Sequence, residues 1–373
     1  MAHLASRRGF LAAGLALPAV PLGAAAPELR YRTLGSTGLK VTTVGFGCMI
    51  TSDPTVIETA AELGINLFDT ARGYQSGNNE RMVGAALKAK RKNIVLCTKT
   101  HGRDKASALG ELETSLRELG TDYIDIWHLH AKSRPEQITD ELLEALATAK
   151  RQGKVRFTGV STHSNQTSLI PALAVNPQID VILTAYNFTM DEEMGRVIRQ
   201  AREAGKAVVG MKVMAGGFRR VKPGQPLHEK LRREGTMLAA LKWVLRNQQV
   251  DTTIPSITDK EQLEENRRAM TEPFSEEDGR LLARQSERIR PLYCRMCGAC
   301  EGTCPLGLPV SDVLRYLSYV DGYGQFQLAR ESFLELPAEL RAVRCRDCSA
   351  CPIQCPNGVH VADRLARAQE ILA

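Results

Sequence analysis

Eight of the ten cysteines fall after residue 290, in two blocks: "CRMCGACEGTCP" from Cys294 and "CRDCSACPIQCP" from Cys345. Both read C-x2-C-x2-C-x3-C-P, in which three close thiolates hold one face of a 4Fe-4S cluster and the fourth, before the proline, serves the other cluster. That spacing predicts one site from Cys294, Cys297, Cys300 and Cys355 and a second from Cys345, Cys348, Cys351 and Cys304. Zinc sites usually show two-plus-two spacing instead, and disulfides are the remaining alternative in an oxidising compartment. Candidates of a different kind lie upstream: Asp69, Tyr74, Lys99 and His130. Reduction of a carbonyl by hydride leaves an alkoxide that needs a proton, and a tyrosine phenol can supply it. A phenol's ordinary pKa of ~10 is lowered by a neighbouring ammonium, the role open to Lys99. Asp69 can pair with Lys99 and fix it, and His130 can donate a hydrogen bond to the substrate oxygen. Taken singly, each has a plainer use: a cap, a surface lysine, a loop aromatic, a strand-end histidine.

These four act together only if the chain gathers them. Apolar, β-rich runs recur at Val44–Gly47, Asn66–Phe68, Ile94–Thr98, Tyr123–Leu129, Val155–Val160, Val181–Thr184, Ala207–Met211 and Thr252–Pro255. Amphipathic stretches such as "SALGELETSLRELG" and "ELLEALATAKRQGK" separate them, so the rhythm is strand, helix, strand. Eight such units predict an α/β fold, a (β/α)8 TIM barrel over residues 27–273. A doubly wound sheet lacks its G-x-G-x-x-G turn here. Catalytic groups of a barrel sit at the C-terminal ends of its strands. Asp69, Lys99 and His130 end the second, third and fourth strands, and Tyr74 lies in the loop after Asp69. His128 faces the same way as His130 by strand alternation, with core packing as its expected use. Ahead of the barrel, "RYRTLGSTGLKVTTVGFG" reads as a short hairpin around a Ser-Thr-Gly turn.

With these residues in place the chain, from about Leu29 to Met270, resembles the aldo-keto reductases. The resemblance is carried by "FDTARGYQSGNNE", "CTKT", "DYIDIWHLH", "GVST" and "IPSITDKEQLEEN". It implies Asp69, Tyr74, Lys99 and His130 as the catalytic tetrad and a nicotinamide cofactor, NADP or NAD. Ser161 and Thr162 would then hold the nicotinamide amide. Phosphate is expected at the loops after strands seven and eight: at Gly216 and Gly217, where the backbone can be approached closely, and at the helix start in "PSITDKEQ", through free amides. Ser256, Thr258, Lys260, Gln262 and Asn266 complete the expected cofactor contacts. Ser256 and Gln262 stand where many members carry cations for the extra phosphate of NADP, with Lys260 able to substitute. Met211 replaces a common stacking aromatic, and Leu183 a common glutamine.

Residues 274–290, opened by a Ser275 N-cap, predict a linker helix, and residues 291–373 an α-helical module resembling two-cluster ferredoxins. Residues 1–26 carry Arg7-Arg8 followed by a broken apolar run and small residues. They resemble a twin-arginine export signal, which implies a periplasmic or other extracytoplasmic location and no stable membrane span after processing. A formal charge of +7 over 373 residues gives no argument for nucleic acid. The whole therefore reads as an exported oxidoreductase acting on a carbonyl or alcohol substrate, with the clusters as an electron conduit to a redox partner protein or as a structural element. The alternative is an electron-transfer or binding protein whose barrel no longer uses nicotinamide; the uncharged Ser256 and Gln262 favour it, and the intact tetrad favours the enzyme.

Overall fold

The computed structural model describes residues 29–216, 235–348 and 350–373. The leader and Gly217 lie outside the described residues. A short antiparallel hairpin, β1 (Tyr31–Thr33) and β2 (Lys40–Thr42), precedes eight parallel strands. These are β3 (Phe46–Gly47), β4 (Leu67–Asp69), β5 (Val95–Thr100), β6 (Ile124–Leu129), β7 (Val155–Thr162), β8 (Val181–Ala185), β9 (Ala207–Met211) and β10 (Thr252–Thr253), each bonded to the next in chain order. The first and last meet through parallel bridges at Val44–Thr253 and Gly47–Ser256, with Gly45 N donating to Thr253 O at 2.7 Å. The sheet is thus closed into a (β/α)8 barrel, as the strand rhythm predicts.

Helices α1 (Pro54–Glu62), α2 (Asn78–Leu87), α3 (Lys105–Leu119), α4 (Asp140–Arg151), α5 (Gln166–Val175), α6 (Glu192–Glu203), α7 (Thr236–Leu245) and α8 (Lys260–Thr271) cover the outside. Their starts follow from local chemistry: Asp53, Asp104, Thr139, Asp191 and Asp259 each accept a backbone N–H of the first turn, satisfying donors the helix itself cannot. Inside the barrel Leu67, Val95, Ile126, Val181, Leu183 and Val209 pack with Leu34 and Val41 of the hairpin region. The barrel is a packed core with its working surface at the mouth.

Helix α9 (Glu276–Ile289) opens on a capping box between Ser275 and Asp278 and is tied to α7 by Lys242–Asp278 at 2.7 Å. The tail contains α10 (Val310–Asp321), α11 (Phe326–Leu334), α12 (Ala338–Ala342) and α13 (Val361–Leu372) around a core that includes Val313, Leu317, Phe333, Leu365 and Leu372. Arg364 and Arg367 of α13 bind Asp321 at 2.6 and 2.9 Å, closing that bundle. None of the helices among the described residues is long and apolar enough to cross a membrane.

The tail sits on the barrel mouth. Asn165 N donates to Met296 O at 3.1 Å, Arg134 pairs with Glu301 at 3.3 Å, and Asn187 Nδ2 donates to Tyr293 Oη at 3.1 Å. Gly322, at the end of α10, lies so close to Gly216 that a Cβ there would stand 1.6 Å from the Gly216 carbonyl oxygen.

Candidate active site and thiol clusters

Lys99, the last residue but one of β5, is fully buried because its ammonium has two partners at the end of β4: Asp69 Oδ2 at 2.5 Å and the Thr70 carbonyl at 2.6 Å. A buried cation without such partners costs several kcal/mol. The same Nζ lies 4.9 Å from the centroid of the Tyr74 ring. Tyr74 stands at the head of a loop in which Gln75 and Ser76 both adopt left-handed backbone (φ 50° and 52°), and Gln75 Nε2 pins that loop to the Thr51 carbonyl at 2.8 Å. His130, just past β6, meets the Tyr74 ring edge-on at 5.8 Å. Asp69, Tyr74 and His130 line one cavity of about 350 Å³, with Lys99 directly behind them. Its volume is at the low end for small-molecule sites, roughly 300–1,000 Å³.

Electrostatics departs from the sequence expectation at Tyr74. Burial pushes the phenol up and outweighs the ammonium of Lys99, so the pKa reaches about 12 rather than falling below its ordinary value. For Lys99, burial works against the charge, but Asp69 and Tyr74 prevail and hold the ammonium. Burial raises Asp69 while Lys99 opposes it. His130 is driven well below the ordinary imidazole range by burial, then by His101 and Lys99. The site therefore holds a neutral phenol, a fixed ammonium and a neutral imidazole.

Other residues at the cavity carry no signal in the four-residue pattern. The His101 ring lies 4.1 Å from His130, and that of His163 at 6.3 Å. Each follows Lys99 or Ser161 by two positions, so strand alternation points it the same way. Arg315, Tyr316, Tyr319 and Tyr323 reach the cavity from the tail, on α10 and just beyond it. Arg315, Tyr319 and Tyr323 recur at intervals of four, and Tyr319 follows Tyr316 by three, a helix face legible in sequence as a stripe but not as a barrel contact. His128 stays in the barrel interior, 1% exposed. It forms, with Asp69 and Cys97, the compact ligand-type trio found among the described residues; Lys99 already supplies the cation there.

The expected cofactor contacts separate into three groups. Met211 and Ser256 line the cavity. The Ser161 hydroxyl accepts from Ala131 N at 2.8 Å, and Thr162 Oγ1 donates to the Ser164 carbonyl at 3.0 Å. Asn266 is buried with its Nδ2 unpartnered, an orphaned donor that fits a polar ligand edge. The free amides expected at the α8 start are engaged instead: Thr258 N donates to Gln262 Oε1 at 3.0 Å and Gln262 N to Asp259 Oδ1 at 2.8 Å. Lys260 is exposed. At Gly216 the close approach is taken by the tail, where an added Cβ would stand 2.5 Å from the Tyr293 ring.

The thiols fall into two neighbourhoods. Burial pushes Cys294 up to about 12, reinforced by Cys300, Cys297 and Cys355. Cys345 is pushed up to about 11 by burial, then by Cys304, Cys348 and Cys351. Each neighbourhood joins three thiols of one block to the fourth of the other, a donor set that fits a 4Fe-4S cluster. Asn357 Nδ2 donates to Cys297 Sγ at 3.4 Å and Met296 N to Cys294 Sγ at 3.3 Å, contacts of the kind that orient ligands and set potentials.

A closed parallel barrel with this set at its mouth and two thiol quartets in the tail defines a class: a barrel oxidoreductase joined to an iron–sulfur module. The chain belongs to the aldo/keto reductase family, which residues 52–285 match, and residues 293–360 match the 4Fe-4S dicluster domain. It is 36% identical to the uncharacterized oxidoreductase YqkF of Bacillus subtilis over 151 residues, 36% of this chain and 49% of that one. The chain thus spans about half the length of that relative. It is 28% identical to L-galactose dehydrogenase of Arabidopsis thaliana over 285 residues, 66% of this chain and 89% of the relative. The holo form of aldo-keto reductase AKR11C1 from Bacillus halodurans superimposes with a TM-score of 0.58 at 29% identity, covering 69% of this chain and 96% of that one.

Proposed function

We propose that the protein is an exported oxidoreductase that interconverts a carbonyl and an alcohol at Asp69, Tyr74, Lys99 and His130, with two 4Fe-4S clusters in its tail. One observation carries the reading: a buried Lys99 bonded to Asp69 and lying against the Tyr74 ring, with His130 edge-on to that ring, at a single cavity. Tyr74, protonated at neutral pH, gives its phenolic proton to the developing alkoxide. Lys99 stabilises the phenolate that remains, Asp69 keeps Lys99 in place, and the neutral His130 donates a hydrogen bond to the same oxygen. In the reverse direction Tyr74 takes the proton back.

NAD or NADP would be held by Ser161, Thr162, Met211, Ser256 and Asn266, and when bound it supplies or accepts a hydride. The orphaned amide of Asn266 supports this assignment. Cys294, Cys297, Cys300 and Cys355 would hold one cluster and Cys345, Cys348, Cys351 and Cys304 the other, giving one-electron exchange with a redox partner. The Arg7-Arg8 leader supports twin-arginine export to the periplasm; replacing both by lysine is expected to retain the protein in the cytoplasm, read by cell fractionation.

The test is turnover of aldehydes and ketones by full-length, anaerobically purified protein with NADPH or NADH, followed by nicotinamide oxidation. Turnover that Tyr74→Phe abolishes supports the enzyme. A second reading, an electron-transfer or binding protein, is favoured by the tail covering Gly216 and by the Asp259 carboxylate at the α8 start. Absence of nicotinamide binding, with any activity unchanged in Tyr74→Phe, would select it.

A further inference from the structure

The cavity is floored by the barrel and roofed by the tail, and its inner wall is cationic. Lys212, just past β9, places its Nζ 5.1 Å and 5.8 Å from the ring centroids of Tyr319 and Tyr323. No carboxylate among the described residues pairs with it. Arg315, 14% exposed at its side chain, donates to Tyr319 Oη at 2.9 Å and to Asp312 Oδ1 at 2.9 Å. That uses two of the five N–H donors of a guanidinium.

The field of these cations reaches the reacting end. His130 and His163 are held neutral by burial first, with Arg315 and Lys99 adding to it, and Lys212 acts on His163 as well. Burial would raise the Tyr319 phenol, yet Arg315 and Lys212 together lower it. Two glutamates also line the cavity from α11 and its end, Glu331 and Glu335. Glu335 is exposed and Glu331 accepts from Gln327 at 2.8 Å. Burial raises the Tyr316 phenol, and Glu335 is among the groups that add to it, whereas the carboxylate acting on His101 is Glu111. Glu331 and Glu335 line the cavity from the tail and Asp69 is already paired with Lys99, so Lys212 and Arg315 have only rings and the partly exposed Asp312 against them.

A neutral ligand seated here would remove water from Lys212 without returning a counter-charge, and from Arg315 with only Asp312 beside it. A carboxylate returns it, through charge-assisted bonds stronger than neutral ones. We propose that the substrate carries a carboxylate, bound by Arg315 of the tail and Lys212 of the barrel while its carbonyl or alcohol carbon faces Tyr74 and His130. This names the substrate class for the oxidoreductase reading and rests on it. It also gives the tail a role in substrate binding through α10, separate from its thiols.

The experiment uses the full-length, cluster-loaded protein and matched pairs: succinate semialdehyde against butanal, and glucuronate against glucose. A preference of about 10–100-fold in kcat/KM for the anionic member of each pair is expected, the range of a hydrogen-bonded charge, expressed mainly in KM. Arg315→Gln should reduce that ratio about tenfold. Lys212→Met, on the barrel, is expected to do the same and serves where Arg315→Gln fails to load its clusters. A calorimetric titration with succinate, and separately with inorganic phosphate, measures the anion site without turnover. If no aldehyde is reduced, the oxidoreductase reading fails while succinate binding still decides the site. No preference within the pairs, no succinate binding, phosphate bound in its place, or a ratio unchanged in both variants overturns the proposal.

Discussion

Tyr74 keeps its proton because burial outweighs the lysine beside it, and this changes what Lys99 is for. With the phenol at about 12, the acid form is present throughout the working range, and in the proposed reaction Lys99 would act on the phenolate left after transfer. Reduction requires the protonated form, so the saturated rate of the wild type should show no loss attributable to Tyr74 as pH rises through 10. A descending limb centred at or below the ordinary tyrosine value would overturn that assignment. Tyr74→Phe should lower kcat about 10²–10⁴-fold, the usual worth of a positioned acid, while substrate still binds. Lys99→Met should destabilise the fold by about 3–5 kcal/mol, because Asp69 is left buried without its cation. Asp69→Asn added to Lys99→Met should restore part of that loss in thermal unfolding. The identity of these residues is legible in the sequence because strand ends face one mouth. Their proton balance is not, since it depends on how deeply the loop at Gln75 and Ser76 buries the phenol.

Among the elements, the strands and covering helices follow from a local rhythm, and so do the hairpin and the Ser275 cap. The seat of α10 does not follow, because it joins Gly322 to Gly216 across more than a hundred residues. Gly216 reads in sequence as a glycine that lets phosphate approach the backbone; its positive φ of 82° and missing side chain serve Tyr293 and the tail instead. Arg315 and Tyr319 likewise show helical spacing in the sequence, but nothing there says which surface the helix meets. The seat makes its own prediction. Gly322→Ala places a Cβ against a backbone carbonyl, which cannot rotate away as a side chain can, so overpacking should cost at least about 1–3 kcal/mol. Hydrogen exchange should then quicken at Lys212–Gly216 and in α10 together, while the far strands β5 and β6 keep their protection. Unchanged exchange at both sites would mean that the tail is not held there.

At the scale of the molecule, the proposed quartets each draw on both blocks, so that neither block would complete a cluster alone and each fourth ligand would come from the other block. This separates two otherwise similar accounts of the tail. If the blocks were independent four-cysteine sites, Cys355→Ala would damage the same site as Cys348→Ala. If the quartets cross, Cys355→Ala pairs with Cys297→Ala, and Cys304→Ala pairs with Cys348→Ala. Iron and acid-labile sulfide should then fall by about half in each single variant and by no further amount in Cys297→Ala/Cys355→Ala, since residues acting as one unit are not additive. The mixed variant Cys297→Ala/Cys304→Ala should lose nearly all of both. Because α10 lies between the two blocks and forms the cavity roof, the mixed variant should also weaken succinate binding at Arg315 while the barrel itself stays folded by circular dichroism. Metal-dependent modules commonly lose structure with their metal. Retention of half the iron in the mixed variant would assign each block its own cluster and overturn the crossed arrangement.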